Sequence, residues 1–161
     1  MSTAHLIVDG VEGESQHEGY QNHMDIMSYS MGVSNPPSMT GGGFSAGKPN
    51  ATDFNFMIAK GKSSTNLAKL CLNGSHIATA TLKLTKTVGD ATLKDFMIYT
   101  FTDCFISSVS DSGAEGQTDE YNSVSLSFSK VKVEYKEQKT AGGGLENAAS
   151  LEYDFKAIKQ S

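Results

Sequence analysis

A mainly β fold, a bent two-sheet antiparallel β-barrel with one short flanking helix and a long glycine-rich loop, is what this sequence predicts. Three observations carry the prediction. Apolar and polar residues alternate with period two through most of the chain, the alternation changes phase inside long runs, and one segment alone shows helical spacing with its own start and stop signals. At 161 residues the chain has the size of one domain with a core that needs no staples. Residues 1–161 are therefore expected to form a single barrel domain, with residues 140–161 a C-terminal extension that includes one strand.

The elements follow in order. Residues 5–9 read as a first strand. Met24 and Ile26 are out of phase with Met27, Tyr29, Met31 and Val33, which predicts a strand that bends. Residues 34–50 are a long loop whose glycines supply positive φ and close backbone approach. Residues 53–58 read as a strand. The helix is predicted at about residues 64–72, with Ser or Thr as N-cap, Leu67, Leu70 and Cys71 on one face and Gly74 as the stop. Residues 78–84 are the cleanest strand, with Ala78, Ala80, Leu82 and Leu84 against Thr79, Thr81 and Lys83. The run 96–109 slips phase midway. Val124, Leu126 and Phe128 give way to Val131, Val133 and Tyr135 in the opposite phase, which predicts a bulge near Ser129 and Lys130. Leu151, Tyr153 and Phe155 mark a last strand. Turns are expected at 10–19, 88–92, 111–118 and 140–147.

Charge narrows the function classes. The 13 cations are all lysine, set against 18 acidic residues for a net charge of −5. Without an arginine fork the chain lacks the usual means of bidentate phosphate and guanine recognition, so no nucleic-acid partner is expected. No run approaches the roughly 18 apolar residues of a membrane helix, so no membrane insertion is expected. The segment 1–9 has no cationic region and too short an apolar run for a signal peptide. Cys71 and Cys104 fit free, small apolar residues in a reducing cytoplasm.

The motifs with chemical content fail on context. Gly43-Phe-Ser-Ala-Gly47 spells a nucleophile elbow, but that turn needs a strand before it and a helix after it, and Pro49 follows. Gly42 to Lys48 spells most of a phosphate loop, yet Pro49 stands where Ser or Thr would hold magnesium. His17 and His23 with Glu14 and Glu18 match no metal-ligand spacing. His76 reads as a structural hydrogen-bonding residue. No catalytic residue, metal or cofactor is expected.

A set of landmarks then appears in one order: Gly13-Glu14-Ser15, Ser28-Tyr-Ser-Met-Gly32, Gly41-Gly-Gly with Gly47-Lys48, and Asp53-Phe-x-Phe56. Further along stand Ser64-x-x-Leu67-x-x-x-Cys71, Gly74-Ser-His-Ile77, Ser107-Ser-Val109 and Val124-x-Leu-x-Phe-x-x-Val131-x-Val-x-Tyr135. From about Leu6 to Tyr135 the chain resembles the haemolysin-coregulated proteins (Hcp) of bacterial type VI secretion systems. It departs from the family's usual pattern at Gly61 and Thr65, where Asp and Pro are common before the helix, and at Asn122, where an acidic residue is common. The resemblance implies a barrel subunit that closes into hexameric rings and stacks into a tube inside a contractile sheath. It also implies seating on a tip spike protein, transport of small effector proteins in the ring lumen, and no catalysis. Such a subunit assembles in the bacterial cytoplasm and is secreted without a signal peptide.

On that footing Ser28 and Ser30, together with Gly32, are expected to face the lumen, with Tyr29 and Met31 turned inward. The loop carrying Met39, Gly41, Gly42, Gly43, Phe44, Gly47 and Lys48 is the expected ring-stacking contact. Two other readings share parts of the pattern. One is the tube protein of a phage-like contractile tail or injection particle; the other is a secreted monomeric β-sandwich binding module, against which the absence of tryptophan counts.

Overall fold

A computed structural model describes residues 2–45, 47–87, 93–116, 120–138, 145–155 and 159–160. Strands β1 (Ser2–Val8), β2 (Met24–Ile26) and β3 (Ser28–Ser30) come first. The short strands β4 (Val33–Ser34), β5 (Ser38–Thr40), β6 (Gly43–Ser45) and β7 (Asn50–Ala51) follow, then β8 (Phe54–Ala59) and helix α1 (Lys62–Asn73). The second half holds β9 (Ile77–Thr87), β10 (Leu93–Ser112), β11 (Tyr121–Gln138), β12 (Leu145–Asp154) and β13 (Lys159–Gln160). The predicted turn at 88–92 and the glycine run 142–144 lie outside the described residues.

A barrel closes because two strands change partners along their length. β1 pairs with β2 on one side and β9 on the other, and β9 pairs with β10, which pairs with β11. β11 pairs through residues 121–126 with β8, and β8 pairs with β3. The circuit is completed at Met27, between β2 and β3, where the chain leaves β1 and its N–H donates to Met57 C=O at 3.0 Å. That partner change explains the phase slip between Ile26 and Met27. Met24 and Ile26 are buried on the β1 side, whereas Met27 is exposed at the bend.

β11 turns in the same way, and here the structure corrects a detail. No register shift occurs at Ser129 or Lys130; instead β11 exchanges β8 for β12, with which residues 130–138 pair. The bulges lie elsewhere, between Ile106 and Ser108 of β10 against β11, between Asp95 and Met97 against β9, and between Tyr135 and Lys136 of β11 against β12. Asp103, with φ of 60°, adds a left-handed break within β10. Among the described residues the C-terminal extension holds β12, where a strand was expected, and the two-residue β13. β12 begins well before Leu151, and Phe155 sits past its end with its N–H on Ser129 C=O at 2.8 Å.

The barrel interior is filled from several strands at once. Phe54 and Phe101 stack with centroids 4.8 Å apart and Phe56 stacks on Phe54 at 5.3 Å, surrounded by Leu6, Leu82, Val124 and Leu126. Each such side chain is worth about 1.5–3 kcal/mol of burial. Alternation holds along β9 from Ala80 to Leu84; Ala78 is exposed, Ile77 taking the buried place, and Thr85 is buried next to Leu84.

The helix runs longer than expected and its cap differs. Leu67 is fully buried, with Leu70 and Cys71 packed against the core as predicted. Gly61, not Ser or Thr, is the N-cap. Ser63 and Ser64 lie inside the first turn: Ser64 Oγ accepts from Gly61 N–H at 2.9 Å, and the Ser63 hydroxyl donates to Glu12 C=O at 2.8 Å. The missing cap oxygen comes from far away in sequence. Glu14 Oε1 accepts from Lys62 N–H at 3.3 Å, placing a carboxylate at the positive end of the helix. At the other end Gly74 is left-handed, its N–H on Cys71 C=O and Ser75 N–H on Leu70 C=O, each at 3.1 Å. These two bonds make a Schellman stop.

Candidate functional site

The expected long loop is a folded finger. β4 pairs with β7 at its base and β5 with β6 at its tip, with Ser38 opposite Ser45 and Met39 opposite Phe44. Gly41 and Gly42, at φ of 64° and 86°, form the two-residue turn, the double positive φ that a type I′ hairpin requires. Gly47 permits a close approach, since a Cβ there would lie 2.1 Å from the Pro36 carbonyl oxygen. Below the base, Thr52 N–H donates to Gly32 C=O and Gly32 N–H to Thr52 Oγ1, both at 2.8 Å. Met39 and Phe44 are 71 % and 78 % exposed on the finger, and Gly43 and Lys48 are exposed with them. Ser45 lies in β6 without a helix after it, so no nucleophile elbow is built.

A second surface runs across the outer side of four neighbouring strands. Two rows cross it: Ser28, Met57, Ser123 and Ser110 are successive partners, as are Ser30, Asn55, Ser125 and Ser108. The intervening residues Phe56, Ile58, Val124 and Leu126 point the other way into the core. Ser125 donates to Asn55 Oδ1. The bulge residue Ser107 donates to Asp53 Oδ2 at 2.8 Å, and Ser127 donates to Asp53 Oδ1 at 3.0 Å, so the one carboxylate at this edge is tied down. A shallow depression of about 370 Å³ sits over these rows. The face is hydroxylated, nearly uncharged and exposed.

Ser28 and Ser30 are both on this face. Gly32 lies beyond β3 at the finger's base. Met31 is partly buried against the core, whereas Tyr29 touches Phe54 at 6.3 Å between centroids yet stays 41 % exposed. Tyr29 is thus only half inward, because β3 pairs on one side alone. Sequence reasoning missed Asn55, Ser108 and Ser110; the signal was there in the serines alternating at 108, 110, 123 and 125.

Residues 5–135 match the protein family described as Type VI secretion system effector, Hcp. The chain belongs to the Hcp family. It is 35 % identical over 136 residues to Protein hcp1 of Pseudomonas aeruginosa, covering 84 % of this chain and 83 % of that one. Among solved structures it is similar to Hcp1 from Salmonella typhimurium, with a TM-score of 0.78, 32 % identity and 99 % of each chain covered. Hcp2 from the same organism gives a TM-score of 0.69 at 31 % identity over 98 % of each. An Hcp chain is a structural, secreted protein of the type VI system and not an enzyme.

His76 bonds Asp103, whose other oxygen accepts from the Ser129 hydroxyl at 3.1 Å, an exposed structural pairing without a nucleophile. The cysteines are free; burial, and then the neighbouring Asp103 charge, pushes the Cys104 thiol up to about 12. Glu14 serves the helix, far from a role beside His17. No described helix is long and apolar enough to cross a membrane.

Proposed function

We propose that this Hcp chain is the tube subunit of its secretion system, closing into hexameric rings that stack within a contractile sheath, seat on the tip spike and carry small effector proteins. The observation that carries the reading is the serine face. A surface meant for solvent on a free monomer usually bears mixed charge, but these two rows over four strands offer hydroxyls, one amide and a methionine. Such a face suits the wall of a water-filled lumen that must hold varied cargo briefly and release it, since neutral hydroxyls give many weak, adaptable hydrogen bonds. The finger supplies the second part. Two exposed apolar side chains on a hairpin that projects from the barrel suit a heterologous contact with the next ring.

Light scattering behind size exclusion, followed by negative-stain imaging, tests the ring. The expected mass is six times the 17.2 kDa chain, with an open centre; a monomer at all concentrations overturns the reading. Within rings, Ser30→Trp is expected to cut effector co-purification while the six-fold particles persist. Unchanged cargo recovery would remove Ser30 and its row from the cargo surface.

A further inference from the structure

Antiparallel pairing of β1 with β2 sets His5 directly opposite Asp25, and residues 10–23 fold back to bring His17 beside them. The Asp25 carboxylate Oδ1 lies 3.0 Å from His5 Nδ1 and 3.6 Å from His17 Nδ1, and all three atoms lie within 4.8 Å of one another. Donors on a tetrahedral zinc ion, about 2.0–2.1 Å from the metal, stand about 3.3–3.4 Å apart. We propose that His5, His17 and Asp25 form a binding site for a divalent transition metal of the zinc class.

The surroundings are those of a prepared ligand set. His5 is fully buried, with Tyr20 stacked on its ring at 4.4 Å and 14°, so its orientation is held. Its far nitrogen, Nε2, faces Thr3 Oγ1 at 3.3 Å, and that hydroxyl meets Thr85 Oγ1. A hydroxyl can accept as well as donate, which lets the ring carry its proton at either nitrogen. Metal-free, Nδ1–H donates to Asp25. When the ion enters, the Nδ1 proton leaves to water, Nε2 takes one up and donates to Thr3, and the Nδ1 lone pair turns to the metal. This hydroxyl partner is the outer hydrogen bond that ligating histidines use to fix their tautomer.

The His17 backbone N–H donates to Ser15 Oγ at 3.3 Å, and Ser15 is buried, which fixes the chain at His17. Among the described residues no lysine pairs with Asp25, so its charge is available to the ion. Two imidazoles and a carboxylate favour zinc, cobalt, nickel or copper over magnesium or calcium, which prefer all-oxygen shells. His17 and Asp25 also line an open cleft of about 650 Å³, which gives a water or an incoming donor the fourth position.

The test uses the full chain without a histidine tag, stripped with chelator and titrated calorimetrically with zinc chloride, with cobalt(II) as the optical probe. Expected are one ion per chain and the visible band of four-coordinate cobalt. His17→Ala and Asp25→Asn, both at exposed positions, should each weaken zinc binding at least about tenfold with an unchanged far-ultraviolet spectrum, while His76→Ala leaves it intact. Absence of saturable binding, equal binding by the His17 and Asp25 variants, or an equal loss in His76→Ala would overturn the site.

Discussion

Gly13 and Gly10 lie three residues apart and need to be glycine for different reasons. A Cβ on Gly13 would stand 2.1 Å from the backbone of His23, where no side chain can yield, because Gly13 N–H donates to Asn22 C=O at 2.7 Å and holds the two segments together. Gly10 has nothing within 4 Å and pays only for a φ of 85°. Gly13→Ala is expected to lower stability by at least about 2 kcal/mol and Gly10→Ala by about 1, read from urea midpoints at constant slope. Equal losses would show that the His23 contact yields. The cysteines separate likewise. The folded Cys104 thiol stays protonated until about pH 12, against 9.0 when free, so folding holds the proton more tightly and stability falls as pH rises past 9. Cys71, partly exposed on the helix, should react first with a thiol reagent, and Cys104→Ala should flatten the alkaline fall in Tm.

At the scale of elements, the helix and the finger show how much local sequence can decide. The stop at Gly74 is local, since a left-handed C′ residue needs only glycine and two carbonyls from the same turn. The start is not. Gly61 brings no side chain, and the oxygen that serves the first turn belongs to Glu14, held near by the Lys62–Glu12 pair at 3.1 Å and the Ser63 bond to Glu12. No pattern within residues 61–65 announces this. The finger was legible as glycine-rich and apolar at Met39 and Phe44, but its two ladders were hidden by strands of only two or three residues. Being short and unburied, the finger is separable from the barrel. Deleting residues 41–47 should leave rings intact, with Tm within about 2 °C, and abolish tubes by electron microscopy; normal tubes would free the finger from any role in stacking.

The whole molecule is decided by two places where a strand leaves one neighbour for another, Met27 and the stretch of β11 between Leu126 and Lys130. Both left a trace in the sequence as a reversal of apolar phase. A reversal shows that the buried side changes, yet it does not say whether a bulge or a new partner is the cause, and β11 uses the new partner. The same closure puts Ser28 and Ser30 on one face with Ser108, Ser110, Ser123 and Ser125, across β8 from them, and sets His5 against Asp25. Sequence spacing grouped His17 and His23 with Glu14 and Glu18 and gave no ligand pattern, whereas in space His17 faces His5 and Asp25.

Local pattern along the chain was enough for the mainly β class and for the helix with its buried face and glycine stop, and the order of landmarks was enough for the family. The class, the helix and its stop follow from short-range rules, since side chains alternate along a strand, repeat at 3.6 in a helix, and turn where glycine allows positive φ, whereas the family came from a resemblance carried by landmarks in one order. Which strands are neighbours emerged from the folded chain, and with it the serine rows, the Glu14 cap, the partner switch in β11 and the His5–His17–Asp25 cluster. The physical reason is that strand pairing is made of backbone hydrogen bonds common to every residue, so the choice of partner rests on burying all apolar faces together, which no single segment records.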